Sequence, residues 1–323
     1  MRIFSKSPSG QFWRFACSLV FVFISSCASY GVIENASVQT LPTTPEYSLH
    51  TFAAADRNSN LGLLLTFSGG GTRAAAMAYG VMQELRDTMI VTNGESKRLL
   101  DEVDTISSVS GGSFTSAYYG LHGDRIFETF EDDFLRFDMD KHLIYRLLNP
   151  VLWFNNKGRT DMAIEYYQEQ VFHDATFADM MQPGLPLILI NASDLAFGVR
   201  FSFVQEYFNL LCSDLASFPV ARAVAASSAV PVMFSPVVLK NRSDCGHDSI
   251  EWLENASALA SSRAEMTMLF EGLKTYAQKD ERKYIHLVDG GITDNTGLRA
   301  IYDAIAFCRH CSQRRHGSCI RYG

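Results

Sequence analysis

The sequence predicts an α/β fold, a sheet covered by helices, on three observations. Short continuous apolar runs recur along the chain, a turn of glycine or other small residues closes them, and a helical pattern follows. The first run, "LGLLLTF" at residues 61–67, is stopped by glycines and reads as a strand buried on both faces. The alanine-rich "TRAAAMAYGVMQEL" behind it reads as a helix. "EVDTISS" and "SFTSAYYG" repeat that order around "SSVSGGS", residues 107–113. "LPLILIN" at 185–191 is another buried strand, and "YIHLVDGG" at 284–291 is one more, followed by the helical "LRAIYDAIAFC". Residues 121–183 are mostly helical and aromatic. They either fill the core beneath a helical layer or form an amphipathic cap that presents Trp153 and Phe154 to a lipid surface. Residues 241–283 are polar, a surface insertion with one helix, "AEMTMLFEGLKTYAQ". No internal repeat is visible.

The chain has 323 residues, 47% of them hydrophobic, enough for a substantial core in one large domain or two. Its 28 basic and 35 acidic residues produce no overall basic field, so nucleic acid is not an expected partner. The N-terminus differs from the rest: Arg2, Lys6 and Arg14 precede the apolar run "FACSLVFVFI", which ends at Ser25 and Ser26. That is the layout of an export signal, and the run is shorter than the ~20 apolar residues a membrane-spanning helix needs. "ISSC" at 24–27 resembles the lipobox of bacterial lipoproteins, which makes Cys27 the expected lipidation site. An exported protein anchored at the bacterial outer membrane or in the periplasm is thus expected, with plain secretion as the alternative. Residues 28–59 lack sustained periodicity and carry Pro, Thr and Asn, and read as a tether. Seven cysteines fit an oxidising compartment, and a Cys212–Cys245 bridge is expected because both flank one apolar block.

The chemistry centres on Ser110. A serine in a small-residue turn between strand and helix is thrust out at the sheet edge, where α/β proteins bind ligands. "SVSGG" is a variant of the nucleophile elbow Gly-x-Ser-x-Gly, with Ser108 at the first glycine and Gly112 at the second. "SGGGTRA" at 68–74 occupies the turn after the first strand, where consecutive N–H groups at a helix start can converge on a negative oxygen. The Lys-Ser or Lys-Thr of a phosphate loop is missing there, so an oxyanion hole fits better. Downstream of Ser110 the histidines are His122, His142, His173, His247, His286, His310 and His316, and none lies in a loop that marks it as a base. Asp289 instead ends the strand "YIHLV" and is followed by Gly290 and Gly291, which suggests a Ser-Asp dyad. Asp294 and Asn295 read as turn and capping residues of the next helix.

The order "GGGTR", "SVSGGS", "ASSAVPVMFSPV", "DGGITDN" resembles the patatin-like phospholipase family across residues 61–305. Ser68 stands where the family has aspartate in its Asp-Gly-Gly-Gly-x-Arg block, and Ser108 replaces the elbow's first glycine. The resemblance implies a three-layer α/β/α fold with a mostly parallel central sheet and helical insertions, within a catalytic domain at 60–307. It implies hydrolysis of phospholipid or other acyl esters at a membrane surface, with Ser110 as nucleophile and Asp289 as base. Gly69, Gly70 and Gly71 would hold the oxyanion, helped by Arg73. Residues 226–236 would support the site, and neither a cofactor nor a metal is required.

Residues 308–323 carry arginines, histidines and three cysteines without an acid, and read as an atypical tail, truncated or frame-shifted. Cys308, Cys311, His316 and Cys319 make a zinc set conceivable, though their spacing is unlike common knuckles. Two alternatives stand beside the acyl hydrolase. One is an α/β-hydrolase esterase with a Ser-His-Asp triad using His286 or His247, and the other is a non-catalytic surface lipoprotein.

Overall fold

The computed structural model describes residues 32–39, 47–49, 61–136, 159–243, 245, 253 and 264–313, with side chains in the last stretch as far as 305. All of them fall within one unit of the chain, Gly31–Gly323. The strands are β1 (Leu63–Phe67), β2 (Met89–Thr92), β3 (Glu95–Arg98), β4 (Val103–Val109), β5 (Leu187–Asp194), β6 (Val199–Ser202), β7 (Val237–Lys240) and β8 (Tyr284–Asp289). Six form one sheet in the order β1-β4-β5-β8-β7, with β6 also paired to β5. β1, β4 and β5 run parallel. β8 runs against both β5 and β7, which returns β7 to the direction of the first three, and β6 runs against β5. The sheet is therefore mostly parallel in direction, with β6 and β8 reversed.

Helices α1 (Gly71–Asp87), α2 (Gly111–His122) and α6 (Val220–Ser227) pack on one face of this sheet, and α7 (Ala264–Lys274), α8 (Gly291–Asp294) and α9 (Leu298–Gln313) on the other, while α3 (Ile126–Phe130), α4 (Arg159–Tyr167) and α5 (Gln205–Leu210) lie between α2 and α6 in the chain. The pleat of β4 shows the layering directly, because successive side chains leave opposite faces of a strand. Ser107 Oγ donates to Gly297 O at 2.6 Å, while Ser108 Oγ accepts from Ser116 Oγ of α2 at 2.6 Å. The result is the three-layer α/β/α arrangement.

β5 is buried throughout, as its apolar run requires. β1 differs from expectation: it ends the strand order and Leu64 is exposed, so it is an edge strand and not one covered on both faces. The β2–β3 hairpin turns at Asn93 and Gly94, both at positive φ, a pairing that suits the right-handed twist of two antiparallel strands. Among the described residues, Phe114, Tyr118, Phe130, Phe134, Tyr167 and Phe172 lie in the core. Phe114 stacks on Phe134 at 4.4 Å between centroids and meets the edge of Tyr167 at 4.9 Å. Trp153 and Phe154 lie outside the described residues.

Parts of the expected tether are packed on the body. Asn35 is fully buried and its amide donates to Ser213 Oγ and Lys240 O while its carbonyl oxygen accepts from Lys240 N. The Tyr47 hydroxyl donates to Ile188 O at 2.8 Å and accepts from Ile188 N at 3.1 Å. A segment without sustained periodicity did not reveal these two docking points. Cys212 and Cys245 form a disulfide, Cα–Cα 5.3 Å. At the other end α9 continues to Gln313, so a helix crosses the boundary expected at 307. The side chains of Cys308 and Cys311, like His316, Cys319 and residues 1–27 with Cys27, lie outside what is described.

Candidate active site

β4 ends at Val109, and the chain must reverse at once to begin α2 at Gly111. Ser110 makes that turn with φ 51° and ψ −121°. A non-glycine residue in this region carries strain of about 1–3 kcal/mol, which the surroundings must hold. They do so through close packing. A Cβ on Gly111 would stand 2.0 Å from Gly71 O, and one on Gly112 2.7 Å from both Cβ and O of Phe67. Small residues at 111 and 112 thus let the start of α2 touch the β1–α1 turn. Ser108, the departure from the elbow pattern, is accommodated because its buried hydroxyl bonds to Leu189 O, Ser113 Oγ and Ser116 Oγ.

Asp289 arrives from the end of β8. Ser110 and Asp289 are both nearly buried, and the Ser110 hydroxyl lies near enough to the Asp289 carboxylate to favour its charged form. Asp289 Oδ1 also accepts from Gly291 N at 2.7 Å. Burial raises the Asp289 pKa above the ordinary carboxylate range, against the smaller lowering effects of the Gly291 N–H and the Ser110 hydroxyl. A carboxylate in that state is a better proton acceptor than an exposed one.

One segment, Ser227–Ala229 at the end of α6, holds both residues. The Ser110 N–H donates to Ser227 Oγ at 2.8 Å, and that hydroxyl donates onward to Asn191 O at 2.6 Å. Gly290 N donates to Ser227 O at 3.0 Å and Asp289 N to Ala229 O at 2.9 Å. Asn191 completes the support, its amide donating to Ser107 Oγ, Ser108 O and Leu189 O. The "ASSA" of the sequence is thus a clamp that sets how far Ser110 stands from Asp289.

The glycine loop lies against the same point. Gly69 is so close that a Cβ there would be 3.2 Å from Ser110 Cβ. Its N–H, expected as an oxyanion donor, donates instead to Asn295 O at 2.9 Å. Gly69 therefore anchors the loop, while Gly70 and Gly71 stand at the start of α1. Both have positive φ, 144° and 64°, which only glycine adopts without strain. Arg73 is exposed in the first turn of α1, and Ser68 is exposed just before the loop.

Asp294 has the capping role expected of it: its carboxylate accepts from Thr296 Oγ1 at 2.8 Å and from Arg299 N at 2.7 Å. Asn295 does more than expected, since its side-chain oxygen also borders Gly69 and Gly291. No histidine among the described residues contacts Ser110 or Asp289. His286 has Asp194 and Arg282 as its nearest charges, and His122 ends the helix that Ser110 begins. Ser227 falls in the block 226–236 expected to support the site, whereas Asn191, among apolar neighbours, was not singled out in the sequence.

A family model described as "Patatin-like phospholipase" matches residues 65–302. Among solved structures, human GIVD cytosolic phospholipase A2, in complex with a methyl gamma-linolenyl fluorophosphonate inhibitor and terbium chloride, is similar at 18% identity and a TM-score of 0.37. That match covers 79% of this chain and 41% of the other, so the chain spans well under half the length of that relative. No curated protein matches the chain.

Proposed function

Since the chain belongs to the patatin-like phospholipase family, whose members are lipid acyl hydrolases, we propose that it hydrolyses phospholipid or other lipid acyl esters with Ser110 as nucleophile and Asp289 as general base. The observation that carries this reading is one clamp, Ser227–Ala229, that holds both a strained elbow serine and a buried carboxylate, the pKa of that carboxylate being raised by burial. In the proposed cycle the Ser110 hydroxyl attacks the ester carbonyl and its proton passes to Asp289. The tetrahedral oxyanion is held by the N–H groups of Gly70 and Gly71, each such donor being worth about 10² to 10³ in rate. Collapse expels the alcohol, which takes the proton back from Asp289. Water then attacks the acyl-enzyme, again giving its proton to Asp289, and collapse releases the fatty acid as Ser110 Oγ takes that proton back.

The proposal is tested by labelling the folded protein with a fluorophosphonate probe. One adduct on Ser110, absent from Ser110→Ala, is the expected result. A folded protein that takes no label would favour the non-catalytic reading, and labelling that survives Asp289→Asn but is lost on replacing His286 or His247 would favour the triad.

Export to a membrane belongs to the same proposal, with residues 1–27 as signal and Cys27 as the lipid-bearing first residue. Mass spectrometry of the mature protein should find an N-terminal Cys27 carrying acyl chains. A mature N-terminus without them leaves a secreted enzyme and removes the anchor.

A further inference from the structure

The segment that clamps Ser110 and Asp289 continues outward into a loop of unusual character. From Ala223 to Leu239, seventeen residues, the sequence has no ionisable side chain. Within it Val230 and Met233 are exposed, and Val232 is 97% exposed with φ 76°. A β-branched residue at positive φ is a genuine outlier, and strain of this kind persists only when the structure around it imposes it. The ends of the loop impose it here. Ala229 O is held by Asp289 N, Phe234 packs against the core and closes a turn with its N–H on Val230 O at 3.0 Å, and Ser235 O accepts from Thr160 Oγ1 at 2.7 Å. Pro231 adds its own fixed φ. The tip, Val232–Met233, is pushed away from the body, and among the described residues nothing apolar covers Val232. Just past β8, in α8, Ile292 is 55% exposed, two residues beyond Gly290.

We propose that Val230, Val232 and Met233 form a docking wedge that enters the hydrocarbon margin of a zwitterionic phospholipid surface and brings the Ser110 end of the sheet onto it. This deepens the proposed function and rests on it for the identity of the substrate. Two features choose the occupant. The loop begins at the residues that bond to Asp289 and Gly290, so whatever covers it also covers the rim of the site. Its lack of charge, on a chain of formal charge −7, suits uncharged hydrocarbon beneath zwitterionic headgroups and disfavours an anionic surface or a charged protein face.

The test reads depth and does not need catalysis. Val232→Trp and, because its backbone is unstrained, Met233→Trp are made in the full chain, with Val91→Trp on the exposed β2–β3 hairpin as reference. Each is mixed with phosphatidylcholine vesicles with and without brominated acyl chains, and the fluorescence of the unsubstituted protein is subtracted. Quenching by bromine at 232 and 233 at least about threefold greater than at 91 is expected. Quenching no greater than at 91, or seen only with phosphatidylglycerol vesicles, overturns the wedge even if the protein is an active hydrolase. Deep quenching in a protein that neither takes the fluorophosphonate nor hydrolyses lipid leaves the wedge standing and removes the proposed function.

Discussion

Asp289→Asn should lower kcat/KM for a lipid ester by about 10³- to 10⁴-fold, the upper part of the range for a positioned general base, while the protein folds and melts cooperatively. The amide has the size of the carboxylate and keeps an oxygen for the Gly291 N–H, but it cannot take the Ser110 proton. Stability supplies a second readout with a definite sign. Burial raises the Asp289 pKa, so the native state binds this proton more readily than the unfolded chain does. Its contribution to stability is then full below the unfolded value and is lost as pH rises through the folded one. At neutral pH the wild type keeps a buried charge that the variant lacks, so the variant should melt at the same temperature or higher. In the wild type, kcat/KM should fall on the acid side with an apparent pKa above the ordinary carboxylate value of about 3.9. Near-normal turnover in the Asp289→Asn variant would refute the dyad, and an inactive variant that fails to fold would show that Asp289 serves structure.

The parts of the site that announce themselves in sequence are those whose chemistry is local. A strand that must reverse into a helix within one residue needs small neighbours, and "SVSGGS" displays them; a carboxylate at a strand end followed by two glycines does the same at Asp289. What was hidden depends on closure between distant residues. Ser227 lies 117 positions from Ser110 and looks like one small residue among many, yet its hydroxyl fixes the nucleophile's backbone. The N–H of Gly69 is spent on the main-chain oxygen of Asn295, and a carbonyl acceptor leaves no mark in side-chain identity. Strand burial is hidden for a similar reason: "LLLTF" and "LILIN" are equally apolar, and only the strand order puts β1 at the edge and β5 inside. The Asn-Gly turn of β2–β3 was visible as residues, but "ESKR" lacks the apolar alternation that would mark it as a strand.

Gly111→Ala should be the most damaging single methyl in the molecule, lowering fluorophosphonate labelling and turnover by at least about 10²-fold, the worth of one oxyanion donor. The new Cβ would meet Gly71 at 2.0 Å from its carbonyl oxygen, 2.7 Å from its carbonyl carbon and 2.8 Å from its nitrogen. Backbone cannot rotate away as a side chain can, so either α2 or the glycine loop must move. Moving α2 shifts Ser110, and moving the loop carries away the Gly70 and Gly71 N–H groups. Either displacement separates the nucleophile from its donors. The overpacking should also cost about 1–3 kcal/mol of stability. Gly80→Ala is the matched control. A Cβ at Gly80, on the exposed side of α1, meets nothing within 4 Å, and exchanging glycine for alanine inside a helix should stabilise by about 0.5–1 kcal/mol with activity kept. The pair separates a general penalty for altered glycine from the specific contact between elbow and loop. Were Gly111→Ala to label Ser110 at the wild-type rate, the two would not be packed as described, and Gly70 and Gly71 would lose their place as oxyanion donors.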